Sequence, residues 1–452
     1  MSTERIFEYK NLVNLLIFLF PLTFILGNFA INIGLTLICI LGLIVLKKDI
    51  FDLNINLEII LLIFFFSFLI FTTVLNIYLN DIVQNFSLFS EERFIKSILF
   101  LRYLLFAFVI SKLLDKNLIN LKIFFISCLI FCSFVSLDII LQFLSGKDLF
   151  GYSGSLVNKS GPFGDEHVAG GYLLRFFLFS LIGIQILFSK NKKNRDFIFF
   201  LFTFISIISI FYSGNKMSFA VLPLCLILIS LFLKSSRIYI LAAVILSTIT
   251  IMQSIKYDKQ FKIYYNAFYI NIQETPKHFF KKLYIDNFAS NEKKEILQNQ
   301  IKDNSYGWSV RTGHKQIFLT AIDVWKQNKF LGGGIRSFRI NCSKTLDNHF
   351  RMCEGHPHNY YLEFLTDTGI FGLILILFFI SVLVFKNNKK FLKKKLFKNE
   401  NFFYLPFYLY LFLEFFPLKS TGSFFSTFNS TYIFLLLGVL LSKKISKSST
   451  AT

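Results

Sequence analysis

Apolar blocks recur along most of this chain of 452 residues. Hydrophobic residues make up 54% of it, and 62 residues are Phe. A transmembrane helix needs about 20 consecutive apolar residues, and the blocks have this length. Outer-membrane β-barrels instead show alternating segments of about 10 residues. The pattern therefore predicts an all-α polytopic membrane protein.

About 12 transmembrane helices are predicted from these blocks. The first block follows Arg5 and Lys10, as in a signal peptide, but no small-residue cleavage site follows it. The second block comes at once, so we interpret the first as a retained anchor. The predicted spans cover roughly residues 12–28, 29–46, 57–79, 95–113, 121–144, 169–189, 196–213, 217–233, 237–254, 359–385, 401–417 and 430–442.

The Lys and Arg residues between the spans predict the orientation of the chain. With the N-terminus inside, the inner segments hold 23 of them and the short outer segments hold six. This bias follows the positive-inside rule, so both termini are predicted to be cytoplasmic. The net charge of +21 would suggest nucleic acid binding in a soluble protein. Topology explains the charge here, and no nucleic acid partner is predicted.

This topology divides the chain into helices 1–9 (residues 1–254), an outer loop domain (255–358) and helices 10–12 (359–452). The loop domain carries 17 Lys and Arg against nine Asp and Glu. A basic domain beside a membrane suits an anionic ligand such as a phosphate-bearing lipid. A solvated face with scattered lysines is an equally good interpretation of the same charges.

Inside the loop domain, residues 311–327 have the pattern of an amphipathic helix. Phe318, Ile322 and Trp325 continue the face that Arg311 begins. A triple glycine follows this helix. No strand precedes it and no P-loop Lys-Ser/Thr follows, so a flexible turn is favoured over an anion-binding loop.

Two of the six cysteines, Cys342 and Cys353, fall outside the spans. Disulfides persist in oxidising compartments, so a bond between them is predicted. A zinc site with His356 and His358 is the alternative. The two histidines are separated by a single proline, which does not fit the usual spacing. The other four cysteines lie in spans and are predicted to pack there.

Four ionisable residues inside predicted spans stand out: Arg102, Asp138, Arg175 and Glu363. Such residues are rare in membranes and often functional. The topology places all four in the outer half of the membrane, which predicts a shared outward-facing polar cavity. Arginine would bind phosphate there through its forked donors. The alternative is that they form structural Arg–carboxylate pairs.

Four sequence elements are similar to motifs of the O-antigen ligase and polymerase superfamily of bacterial inner-membrane glycosyltransferases. The most specific is His358-Asn359, followed after nine residues by Gly369 and after two more by Gly372. Lys216 departs from the pattern, because this superfamily usually has Arg there. The other elements are the glycine-rich Ser160–Leu173, the turn Ser213–Lys216, and Arg311 with Trp325 and Gly332–Phe338.

The resemblance implies a fold like that of C-type glycosyltransferases, acting without metal or other cofactor. It implies an inverting transfer of a glycan from undecaprenyl pyrophosphate, on the periplasmic face of the inner membrane. The acceptor would be lipid A–core for a ligase, or another lipid-linked repeat for a polymerase. His358 would be the catalytic base, and Arg311 and Lys216 would bind the pyrophosphate. We add Arg175 and Arg102 to the pyrophosphate ligands from their predicted depth.

Supporting roles are expected for Asn359, His356 and Glu363. Gly369 and Gly372 would let their helix pack closely on a neighbouring helix and so seat the catalytic histidine. A glycan-to-protein ligase and a polysaccharide transporter or flippase are the other hypotheses. Twelve spans fit many transporters. However, no half-to-half repeat is visible, and the polar residues cluster at the outer end rather than at mid-membrane.

Overall fold

The computed structural model describes residues 3–51, 56–81, 88–270, 313–345, 351–391 and 403–443. Within these ranges the chain is helical, apart from turns and one isolated bridge between Lys147 and Ser153. The helices are α1 (Thr3–Ile25), α2 (Asn28–Leu46), α3 (Leu57–Asp81), α4 (Leu88–Leu99), α5 (Leu101–Asp115), α6 (Leu121–Ser145), α7 (Ala169–Leu187), α8 (Lys192–Tyr212), α9 (Lys216–Phe232), α10 (Arg237–Tyr257), α11 (Gly313–Gln327), α12 (Ser337–Asn341), α13 (Tyr360–Phe391), α14 (Leu405–Glu414) and α15 (Thr427–Leu440). Residues 259–270 are also helical. Short 3₁₀ turns cover Lys47–Phe51, Gly161–Phe163, Lys234–Ser236 and Cys342–Thr345.

The predicted all-helical class is confirmed. In the described ranges, nine helical segments are long and apolar enough to cross a membrane. Three shorter apolar helices, α9, α14 and α15, lie at the other predicted positions. The total of twelve spans and the outer position of the loop domain remain predictions.

Asparagine side chains begin several of these helices. Asn120 accepts a hydrogen bond from the backbone N–H of Lys122 at the start of α6. Asn215 does the same for Ser218 at the start of α9. A helix leaves its first N–H groups without backbone partners, and a short side-chain acceptor satisfies one of them. The cap at Asn215 therefore fixes where the turn Ser213–Lys216 gives way to α9.

Helix α7 lies at the centre of the bundle. The share of its residues that is buried, 78%, is the largest among the nine spans. Phe179 packs against Phe124 of α6 and Tyr410 of α14, with ring centroids 5.1 and 4.8 Å apart. Phe176 packs against Phe24 of α1 at 5.6 Å. These aromatic contacts surround α7 with other helices, so a charge carried by α7 is kept away from lipid.

A kink at Gly369 divides α13 into a short first part and a long apolar second part. Its backbone angles, φ 64° and ψ −168°, fall in a region that is almost restricted to glycine. The triple-glycine turn docks against this kink. The N–H of Gly333 donates to Thr366 O and the N–H of Gly334 donates to Asp367 O, both at 2.8 Å. The kink and the turn therefore form one backbone-to-backbone contact.

This contact gives Gly369 a role other than the predicted one. The atoms nearest to a Cβ on Gly369 belong to the turn after α11 and not to another span. A Cβ on Gly369 would meet the Phe330 carbonyl, and a Cβ on Gly332 would meet the backbone of Gly369. A Cβ on Gly372 would meet the side chain of Thr368 in the same helix. Gly369 thus allows α13 to kink, and it leaves room for the triple-glycine turn to pack against the kink.

We predict that Gly369→Ala lowers stability by at least about 1–3 kcal/mol, the usual cost of such a backbone conformation in a residue with a Cβ. The clash with the Phe330 carbonyl adds to this cost. The measurement is the unfolding temperature of detergent-solubilised protein. Gly355→Ala is the matched control, because a Cβ there would have no neighbour within 4 Å. Equal unfolding temperatures for the two variants would contradict the assignment.

Candidate functional site

His358 lies in the turn just before α13 and is half-buried. Its φ of 53° places it in the left-handed region, which few residues other than glycine adopt. The carbonyl of His358 accepts a hydrogen bond of 2.9 Å from the N–H of Thr421. Strained backbone of this kind persists only where the surroundings hold it, and it clusters at functional sites. The turn therefore holds the backbone of His358 in one conformation.

Asn359 connects this turn to two other elements. Its Oδ1 accepts a hydrogen bond of 3.0 Å from Tyr361 N–H and so caps α13. Its Nδ2 donates to the carbonyls of Pro417 and Lys419, at 3.1 and 3.4 Å. Asn359 thus caps α13 and ties the residue after His358 to the chain that follows α14.

Three histidine rings meet at this turn. The ring of His358 lies 4.1 Å from that of His356 and 4.8 Å from that of His314 on α11, measured between centroids. Burial lowers the pKa of His358 to about 4, with further lowering by the charges of His356 and His314. The ordinary value is about 6.5. His358 is therefore neutral at pH 7 and can accept a proton.

The loop of residues 415–423 supports the turn from the other side. Glu363, in the first turn of α13, accepts hydrogen bonds of 2.6 Å from the Ser423 hydroxyl and from Phe424 N–H. Tyr361 donates its hydroxyl to Phe415 O. The predicted supporting residue Glu363 thus ties the loop to α13, and the loop in turn holds His358 through Thr421.

A buried charge group fixes the beginning of this loop. Glu414, 2% exposed, accepts hydrogen bonds from Arg175 Nε and Nη2 at 2.9 and 3.3 Å. Its Oε1 also lies 2.9 Å from Lys419 Nζ. Arg175 further donates to Asn429 Oδ1 at 2.6 Å. Two cations and one carboxylate therefore connect α7, α14 and the loop that carries Thr421.

This group corrects the prediction that Arg175 binds pyrophosphate. Its guanidinium is buried and already bound by Glu414 and Asn429. Arg102 borders the cavity beside α4 and the other three intramembrane charges do not, so a cavity shared by all four stays a prediction. The structure describes all four, and no hydrogen bond or ion pair joins any two of them. Asp138 instead accepts the N–H of Leu149 at 2.8 Å.

The other two predicted pyrophosphate ligands that the structure describes lie in different places. Arg102 Nη2 donates to the Tyr103 hydroxyl at 2.8 Å, and the guanidinium borders a cavity beside α4. Lys216 Nζ lies 3.6 Å from the ring centroid of Tyr264, a cation–π contact. In the described part of the chain no hydrogen bond or ring contact joins Lys216 to His358. Arg311 lies outside the described residues.

The glycine-rich loop and the Ser-Gly-Asn-Lys turn are neighbours. Lys159 N–H donates to Tyr212 O at 3.0 Å, and Asn215 Nδ2 donates to His167 O at 3.4 Å. A Cβ on Gly214 would meet the side chain of Asn158. The four motif elements thus form two pairs in the structure: this one, and the triple-glycine turn with the kinked α13.

Cys342 and Cys353 form a disulfide with Cα atoms 5.3 Å apart. The bond removes both thiols from the alternative zinc site. In the described ranges no group of three His, Cys, Asp or Glu side chains is arranged to hold a metal ion. Met352 N–H donates to Thr320 Oγ1 at 3.1 Å, so the segment before His356 is also tied to α11.

Helix α11 has a different buried face from the predicted one. Ile317, Ala321 and Val324 pack with Phe338 and Cys342, and all five are buried. The prediction placed Phe318, Ile322 and Trp325 on the helix face that continues from Arg311, but these three are only partly buried. The buried residues of α11 each lie one position before the predicted ones, because this face of the helix packs on α12 and the disulfide.

Several site residues were missed by the sequence analysis. Glu414 lies within the predicted span 401–417 and meets the criterion that singled out Arg175, so it could have been found. Asp367 accepts the N–H groups of Arg336 and Ser337 at 2.9 and 3.0 Å and so caps α12. Asp367 lies within the predicted span 359–385 and meets the same criterion, so it could also have been found, although its partners Arg336 and Ser337 could not.

We predict that Glu414→Gln lowers stability by roughly 3–5 kcal/mol, because it leaves Arg175 and Lys419 buried without their counter-charge. Lys419→Gln should cost less, since Glu414 keeps Arg175 as its partner. Unfolding temperatures of the detergent-solubilised variants test this order. Glu8→Gln, at an exposed position, is the control. The opposite order for Glu414 and Lys419 would refute this account of the charge group.

Residues 201–377 match the family model described as O-antigen ligase. The matched segment includes the turn Ser213–Lys216, the triple-glycine turn, His358 and both signature glycines. A search of curated proteins finds no match. The family match confirms the resemblance of this chain to the O-antigen ligase and polymerase superfamily.

Proposed function

We propose that this protein transfers a glycan from undecaprenyl pyrophosphate to an acceptor hydroxyl on the periplasmic face of the bacterial inner membrane. Ligation of O-antigen to lipid A–core is the specific reaction we propose. The family match supports a glycosyltransferase-like ligase or polymerase activity. The observation that carries the proposal is His358: a neutral, half-buried imidazole, held in a strained turn inside the matched segment.

The proposed reaction is a single displacement with inversion. The acceptor oxygen attacks the anomeric carbon while the bond from that carbon to the pyrophosphate oxygen breaks. The acceptor proton passes to His358, and the bonding electrons leave with the lipid pyrophosphate. General base catalysis of this kind contributes roughly 10²–10⁴-fold. His358 suits the role because its neutral form is the main form near pH 7.

The leaving group gains negative charge as the bond breaks, so cations near it lower the barrier. Lys216 and Arg311 are proposed for this role from the superfamily resemblance, and Arg102 from its place beside a cavity. Arg175 acts differently in this proposal. It holds Glu414, which holds the loop that binds His358 and Asn359, and so it is a positioning residue.

We predict that His358→Ala lowers transfer by at least about 10²–10⁴-fold, because the acceptor proton has no acceptor group. The assay uses purified protein in liposomes, a glycan on undecaprenyl pyrophosphate, and lipid A–core. Lys147→Ala, an exposed residue in a loop, should transfer like the unmodified protein. Unreduced transfer by the His358 variant would remove that residue from the mechanism.

The same assay separates the proposed activities through the acceptor. Product on lipid A–core supports ligation, and elongated carrier-linked glycan without that product indicates a polymerase. Product only on an added protein acceptor indicates a glycan-to-protein ligase. Movement of the lipid-linked glycan across the liposome membrane without any new glycosidic bond would overturn the enzyme proposal in favour of a flippase.

We predict that the acid limb of kcat/KM lies near pH 4 rather than 6.5, because His358 stays neutral down to about pH 4. His356→Asn removes one repelling charge and should move this limb upward in pH. The pH–rate profiles of both proteins test this. A limb near 6.5 in the unmodified protein would contradict the environment described for His358.

The same pKa has a consequence for folding. An unfolded His358 would bind a proton below about pH 6.5, whereas the folded one does so only near pH 4. The unfolded state therefore binds more protons between these values. This histidine's contribution to stability is complete above about pH 6.5 and is lost as the pH falls toward 4.

A further inference from the structure

The loop that follows α6, residues 148–156, exposes large apolar side chains. Leu149 and Phe150 are 61% and 63% exposed, and Tyr152 and Leu156 are also mostly exposed. A single exposed apolar residue is common on a protein surface, whereas four within eight residues form a patch that indicates a partner. The candidate site described above does not include this loop.

The patch continues the face of α6 that contacts lipid. The exposed large apolar residues of α6 are Ile130, Leu137, Leu141 and Leu144. With 3.6 residues per turn, these positions fall within about 60° around the helix axis. Helix α6 is long and apolar enough to cross a membrane, so a stripe of exposed apolar residues along it contacts hydrocarbon. The patch on the loop begins where this stripe ends.

The loop folds back along α6 instead of extending away from it. Leu149 N–H donates to Asp138 Oδ1 at 2.8 Å, and Asp138 lies seven residues before the end of α6 at Ser145. At 1.5 Å per residue, this level is about 10 Å below the helix end. The helix has 25 residues and is about 37 Å long, which exceeds a hydrocarbon core of about 30 Å by a few Å at each end. The backbone of Leu149 therefore lies at the edge of the hydrocarbon core.

The backbone of the loop is suited to an apolar environment. Lipid offers no hydrogen bonds, so a non-helical segment can enter it only if its polar backbone groups have partners in the protein. Leu149 N–H has its acceptor on α6. The N–H groups of Phe150 and Tyr152 donate to Asp148 Oδ1 at 3.0 and 2.7 Å. The other two N–H groups between positions 148 and 152 donate to carbonyls of the same loop, so all five consecutive donors are satisfied without water.

The loop leads directly into the glycine-rich motif Ser160–Leu173. Gly161 N–H donates to Gln142 Oε1 of α6 at 2.9 Å, so the start of the motif is also held against this helix. Lys159 N–H donates at 3.0 Å to the last carbonyl of α8, just before the turn Ser213–Lys216. The depth of the loop in the membrane therefore also sets the height of these two motif elements relative to the lipid surface.

We infer that loop 148–156 is an interfacial anchor, in which Leu149 and Phe150 lie among the hydrocarbon chains of the leaflet at this end of α6. The predicted topology makes this the periplasmic leaflet. A second copy of the chain fits the patch less well, because the patch is continuous with a lipid-facing stripe and the backbone donors of the loop are already used. The inference goes beyond the proposed function and does not depend on it.

Tryptophan fluorescence of the protein in liposomes tests the inference. Phe150→Trp and, separately, Leu149→Trp place a probe at an exposed position, where the larger ring fits without disturbing the fold. The signal of the unmodified protein, which has two Trp, is subtracted. Bromine atoms on a lipid chain quench only a tryptophan that they contact. We expect phosphatidylcholine with brominated chains to lower the fluorescence of both probes roughly twofold, and iodide in the water to leave it nearly unchanged.

Two further variants are the controls. Leu137→Trp places the probe on the lipid-facing stripe of α6, and brominated lipid should quench it to a similar extent. Glu166→Trp places it at an exposed position of the glycine-rich motif, and iodide should quench it instead.

Quenching of both loop probes by iodide but not by brominated lipid would overturn the inference, because the loop would then lie in water. Protection of both probes from both quenchers would also overturn it, and would indicate a second copy of the chain on the patch. The measurement needs no glycan substrate, so the anchor can fail while transfer by the enzyme stands, or stand while transfer fails.

Discussion

The Arg175–Glu414 pair is the interaction on which the candidate site depends. A charge at the centre of an apolar bundle is tolerated only when an opposite charge and hydrogen bonds accompany it. Glu414 meets this condition with Arg175 and Lys419, and all three lie where α7, α14 and the following loop converge. Since that loop supplies the N–H that binds the His358 carbonyl, the buried charge group also helps to position the backbone of the histidine turn.

Hydropathy alone predicts the class of this fold because lipid forces backbone groups into helices. The same logic explains why apolar blocks locate the helices well, including the three that are shorter than a full span. Hydropathy does not show which charged residues pair with each other in the folded protein. Arg175 was expected to face a substrate, and the fold gives it Glu414, a partner 239 positions later in the chain. The one-residue error on α11 has a similar cause, since the buried stripe is chosen by α12 and the disulfide rather than by the helix itself.

The motif residues divide into those that could react and those that shape backbone. His358 and Lys216 are proposed to belong to the first kind, whereas Asn359 caps a helix and Gly369 permits a kink. The sequence motif contains both kinds of residue, and only the three-dimensional structure shows which residue has which role. Gly369 illustrates this: its spacing resembles that of a helix-packing glycine, yet its backbone adopts a conformation that other residues avoid and receives a turn from a distant part of the chain. The four residues of the motif, His358, Asn359, Gly369 and Gly372, thus combine a side chain that could react, a helix cap and a backbone docking site.

The Cys342–Cys353 bond makes the structure around the histidine turn depend on oxidation. Disulfides form in oxidising compartments and not in a reducing cytosol. The bond closes a stretch of chain that ends three residues before His356, and the same stretch is tied to α11 through Met352. The histidine turn is therefore linked covalently to the end of α12, and its position depends on the oxidation of two cysteines as well as on packing. A change in the redox state of this one bond would free the segment before His356 from that link.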